Sequence, residues 1–73
     1  MKESFKENYK DIEFSKGDTA LNRGEFNAAY IHYVQEGNVE GLYKVAKKFE
    51  DEGNLEKSAE ALAEAFRIKE LDK

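Results

Sequence analysis

The chain has 73 residues, enough for one domain whose folding buries only about 60% of the unfolded surface. Its net charge of −4, with acidic and basic residues interleaved, argues against a phosphate-tracking surface and is too mild for an acidic mimic of DNA. Cysteine is absent, which removes disulfide and thiolate chemistry and agrees with a reducing compartment.

No apolar run approaches the ~18–20 residues that span a bilayer, and residues 1–8 are too charged for a signal peptide. The expectation is a cytoplasmic protein with neither membrane nor nucleic acid among its partners. Proline is absent, and three Val, three Ile and one Thr are scattered along the chain, so the alternation of a strand is missing. Glycine supplies the punctuation. Gly24-Glu25, Gly37-Asn38 and Gly53-Asn54 each pair a left-handed helix end with a polar residue suited to starting the next helix. They cut the chain into helices near 4–23, 26–36, 39–52 and 55–70.

In the first segment Phe5, Tyr9 and Ile12 fall at i, i+4, i+7, and Ser4-x-x-Glu7 reads as a capping box. Gly17 stands inside this expected helix, where glycine costs ~1 kcal/mol against alanine. Close approach of a neighbouring helix is the favoured reason. The alternative is a break that leaves residues 1–16 a separate piece.

The second segment carries an apolar stripe of Phe26, Ala29, Tyr30, Tyr33 and Val34, and the third one of Val39, Leu42, Val45, Ala46 and Phe49. In the fourth, the stripe is Leu55, Ala59, Leu62, Ala63 and Phe66, broadened by Ala61 and Ala65. Glu40 to Lys44 and Glu64 to Arg67 are spaced for surface ion pairs worth a few tenths of a kcal/mol. Two-residue links make consecutive helices pack antiparallel. The expected fold is therefore all-α, two stacked helical hairpins in a single domain over 1–73.

Part of this pattern occurs twice. Gly24 and Gly53 lie 29 residues apart, and Phe26/Leu55, Ala29/Ser58 and Tyr33/Leu62 share one register. A repeated helix–turn–helix unit marks a stacked helical repeat, whose usual role is to hold another protein. The first copy reads Gly17, Ala20, Gly24, Phe26, Ala29, Tyr33. The second reads Leu42-x-x-Val45-Ala46-x-x-Phe49, Gly53-x-Leu55, Ser58-x-x-x-Leu62. These residues resemble the tetratricopeptide repeat family, with unit one about 10–37 and unit two about 39–70. The family's repeat is about 34 residues, so the second helix of unit one and its link are short. Glu13 and Lys16 occupy positions where the first helix of a unit carries large apolar residues.

The resemblance implies right-handed superhelical stacking of the four helices, with small residues Gly17, Ala29, Ala46 and Ser58 at the closest crossings. Phe26, Tyr33, Phe49, Leu62 and Phe66 would fill the space between hairpins. It also implies a groove on the first helix of each unit, lined by Phe14, Asp18, Leu21 and Asn22 and by Tyr43, Lys44 and Lys47, that takes a peptide or helix of a partner protein. Phe14, Leu21 and Tyr43 are not required by the core stripes, which makes them candidates for the apolar part of that surface; the alternative for Phe14 and Leu21 is packing against the N-terminal turns around Phe5 and Tyr9. Capture of a C-terminal carboxylate, as in chaperone-binding members, is disfavoured because Asp18 would repel it.

Catalysis is not expected. The chain has one histidine, no Gly-rich phosphate loop and no metal-ligand spacing, so neither cofactor nor metal is expected. Glu50-Asp51-Glu52 reads as a solvated helix end and His32 as a surface or packing residue. Two units are fewer than the three or so that such repeats usually need for stability. The outer faces must then be capped, by residues 1–9 and by Ile68 and Leu71, or paired with a partner or a second copy. A small homo-oligomer whose apolar faces meet in a dimer is the alternative function.

Overall fold

The computed structural model describes residues 15–71. They form four α-helices: α1 Lys16–Asn22, α2 Phe26–Glu36, α3 Val39–Asp51 and α4 Leu55–Leu71. No strand occurs among the described residues.

A continuous helix over 4–23 is corrected at Ser15. This residue is extended (φ −68°, ψ 166°), and its hydroxyl accepts the N–H of Asp18 at 3.0 Å. The Lys16 N–H donates to the Glu36 carboxylate at 3.2 Å. Two of the N–H groups that a helix start leaves without an internal partner are thereby satisfied, and α1 begins at Lys16. Phe5, Tyr9, Ile12 and the Ser4-x-x-Glu7 box lie outside the described residues.

The three glycine links share one hydrogen-bond pattern. The N–H groups of Glu25, Asn38 and Asn54 donate to the carbonyls of Ala20, Tyr33 and Phe49, and each preceding glycine donates to the carbonyl three residues back. This paired closure requires a left-handed residue. Gly37 (φ 66°) and Gly53 (φ 84°) supply it where a side chain would be strained. The next helix then starts on an asparagine: the Asn38 and Asn54 side chains accept the N–H of Gly41 at 2.9 Å and of Lys57 at 3.1 Å.

Each helix packs on the next in sequence, α3 against α4 most extensively, while α1 also touches α3 and α2 touches α4. The start of α1 meets the end of α2 through Lys16 and Glu36, so these two run antiparallel. Along α2 and α3, Phe26 meets Phe49 edge to face with centroids 6.1 Å apart, and Tyr33 lies against Gly41. The start of one helix thus faces the end of the other.

Ala20, Ala29, Tyr33, Leu42, Val45, Ala46, Phe49, Ala61 and Ala65 are buried, with Phe26, Tyr30, Val34, Val39 and Ile68 packed against them. The stripes read for the second and third segments face this core. The one read for α4 does not: Leu55, Ala59, Leu62, Ala63 and Phe66 are exposed, and Ser58, Ala61 and Ala65 are buried in their place. Leu62 and Phe66 therefore do not fill the space between hairpins. Because α3 contributes the large residues Leu42, Val45 and Phe49, small residues opposite them let the two helices approach and interdigitate to native density. Ile68 packs against the core, whereas Leu71 is exposed and is not among the described residues packed on it.

Candidate functional site

Tyr33 is the residue around which α1, α2 and α3 meet. Its ring is fully buried between two glycines, Gly17 of α1 and Gly41 of α3, and a Cβ at either would overlap it. The close approach expected at Gly17 is real, although Gly17 stands in the first turn of a helix rather than in its middle. The Tyr33 hydroxyl donates to Asp18 Oδ1 at 2.5 Å. Burial, then the hydrogen bond and charge of Asp18, then the charge of Glu36 push the Tyr33 phenol far above its usual 10.0.

Asp18 is thus half-buried and engaged from below, and what it offers a ligand is its remaining lone pairs. Leu21 packs against the core, contrary to the reading that the core does not require it. Asn22 is exposed at the end of α1. On α3, Tyr43 is 37% exposed beside exposed Lys44. Lys47 is exposed and pairs with Asp51 at 3.6 Å. Phe14 lies outside the described residues. Contact between α1 and α3 puts the remaining six on neighbouring helices.

A cleft of about 240 Å³ between α1 and α2 was not anticipated; Lys16, Thr19, Arg23, Glu25, Ala28 and His32 are among its lining residues. Lys16, Arg23 and His32 give it a basic rim, and none of the six expected groove residues that are described lines it. The signal was present as Lys16 and Arg23 seven residues apart, at the start of α1 and at its C-cap, with Ala28 and His32 at i, i+4 on α2. Without the helix pairing, nothing in the sequence joins the two sets.

On the opposite side of α2, Tyr30 sits under the Lys57 ammonium at 5.5 Å from the ring centroid. Burial and the charges of Glu64 and Glu60 raise its phenol against the opposing pull of Arg67. Ion pairs join Lys57 to Glu60 at 3.6 Å and Arg67 to Glu64, whose Nε–O distance is 3.1 Å. Among the described residues Glu40 and Lys44 form no ion pair, and Glu50, Asp51 and Glu52 are exposed. No group of three or more metal-ligating side chains comes together there, and no helix is long and apolar enough to cross a membrane.

Compared with family models, with curated proteins and with solved structures, the chain matches none of them.

Proposed function

We propose that the chain is a non-catalytic protein–protein interaction module, built as a tetratricopeptide-like pair of helical hairpins, that holds a peptide or helix of a partner protein against α1 and α3. The observation that carries this reading is the face of α3 that turns away from the core. Tyr43 is an aromatic anchor left partly exposed, flanked by the exposed cations Lys44 and Lys47, beside a helix that offers Asp18 and Asn22. A partly exposed aromatic ringed by polar groups is the composition of a recognition surface. The glycine links and the small residues at the crossings support the repeat architecture that such grooves use.

The test is affinity capture with mass-spectrometric identification, followed by direct binding of the identified peptide. Tyr43→Glu abolishes that binding while the helical circular dichroism stays unchanged. Unchanged affinity with Tyr43→Glu removes this groove from the function.

A second reading, self-association through unpaired apolar faces, draws on a separate observation: the exposed stripe of α4.

A further inference from the structure

The cleft between α1 and α2 has a counterpart in the duplicated segment, and there it is filled. Val45, Phe49, Lys57 and Ala61 stand 29 residues after Lys16, Ala20, Ala28 and His32, four of the residues that line the cleft. Val45, Phe49 and Ala61 are buried. Helix α2 contacts both α3 and α4 on that side, with the Phe26 ring edge to face on Phe49 and the Tyr30 ring under the Lys57 ammonium. In unit one the lining comes from α1, α2 and their link alone, and about 240 Å³ stands open beside Ala20 and Ala28.

Ahead of this surface the chain repeats the residues that α2 uses. Phe26 and Tyr30, which meet unit two, are followed by Tyr33 as an i, i+4, i+7 set. Phe5, Tyr9 and Ile12, outside the described residues, have the same spacing, with the same two aromatic types followed by an apolar residue. The set ends three residues before Ser15, which caps α1 next to Lys16 on the rim, much as Tyr33 ends five residues before Asn38, which caps α3. The floor of the cleft suits such rings. Where unit two offers Phe49, unit one offers Ala20, and large side chains on small ones fill space without strain.

We propose that the cleft between α1 and α2 is the seat of residues 5–12 of the same chain, docked as α2 docks on α3 and α4. Phe5 and Tyr9 enter over Ala20 and Ala28. Asp11 and Glu13, on either side of Ile12, come to the end of the cleft where Lys16 stands in place of the buried Val45. Lys16 forms no ion pair with another described residue, so its ammonium is open to them. A free anion is the poorer occupant. Glu25 shares the rim with Arg23, and the Glu36 carboxylate already lies at the Lys16 N–H, so the cations are offset. Attachment at Ser15 gives the segment the high effective concentration of a short tether, which favours it over the same segment of a second copy.

His32 is the one histidine of the chain, so its ring protons report on the cleft in an NMR spectrum of the full chain. Expected are nuclear Overhauser contacts from the rings of Phe5 and Tyr9 to Ala20, Ala28 and His32. The amides of residues 9–12 exchange at least ~10-fold more slowly than in a free peptide of residues 1–14. Phe5→Asp combined with Tyr9→Asp removes that protection and moves the His32 ring protons, while the amide resonances of α3 and α4 stay in place. An equal mixture of labelled and unlabelled chains shows no such contacts between chains. Peptide-like exchange at residues 9–12 overturns the proposal, as do unmoved His32 resonances in the double variant or ring contacts that arise only between chains. None of these results bears on the Tyr43 test, because no described groove residue lines the cleft.

Discussion

At the scale of single residues, Tyr33 ties α1, α2 and α3 together, buried against Gly17 and Gly41 and bonded to Asp18. Its ring lies where a Cβ on either flanking glycine would have to be, so Gly17 and Gly41 answer to one side chain. Alanine is the better helix former by ~1 kcal/mol, yet overpacking a closed core costs ~1–3 kcal/mol. Gly41→Ala is therefore expected to destabilise the protein in urea unfolding. Tyr33→Leu in the same chain should recover part of the loss, since the ring is what the added methyl meets. The hydroxyl of Tyr33 has a separate consequence. Burial and Asp18 raise its folded ionisation above that of the unfolded chain, so the folded state holds a proton that the unfolded state releases. Its stabilising contribution is fully present below pH ~10 and falls as pH rises beyond that. Tyr33→Phe, at a cost of about 1 kcal/mol at neutral pH for the lost hydrogen bond, should flatten the alkaline limb of a stability–pH profile.

At the scale of elements, the helix starts differ in how well they are capped. Ser15, Asn38 and Asn54 each accept a backbone N–H, whereas Glu25 at the start of α2 makes no side-chain cap. Asn54→Ala is expected to cost ~1 kcal/mol, and Glu25→Ser to raise the melting temperature by supplying the missing acceptor. The two changes lie in different links and should add within a few tenths of a kcal/mol. A cap at Ser15 also explains why the first segment does not run through as one helix. Serine competes for the backbone with its own hydroxyl, and Gly17, two residues on, weakens any helix trying to continue across.

At the scale of the whole molecule, α4 is apolar around more than half of its circumference, and sequence periodicity does not say which arc goes inward. The larger residues invite the wrong choice. Leu55, Leu62 and Phe66 stay outside because α3 already supplies the bulk, and the small arc of Ser58, Ala61 and Ala65 permits the closer approach. Ala65→Leu should accordingly cost ~1–3 kcal/mol by overpacking, while Ala63→Leu should change monomer stability by less than ~0.5 kcal/mol; thermal unfolding in dilute solution compares them. What the sequence by itself determined is local: four helices, their glycine links, and the stripes of α2 and α3. Each of these follows from a turn conformation or a period that a few neighbouring residues impose. Leu21 could not be assigned to the core before its neighbours were known. The Tyr33–Asp18 bond, the pairing of Gly17 with Gly41 around one ring, the basic cleft at Lys16, Arg23 and His32, and the outward stripe of α4 were decided by tertiary structure alone. They depend on which helix lies opposite, and complementarity of volume and charge across two elements is not a property of either one.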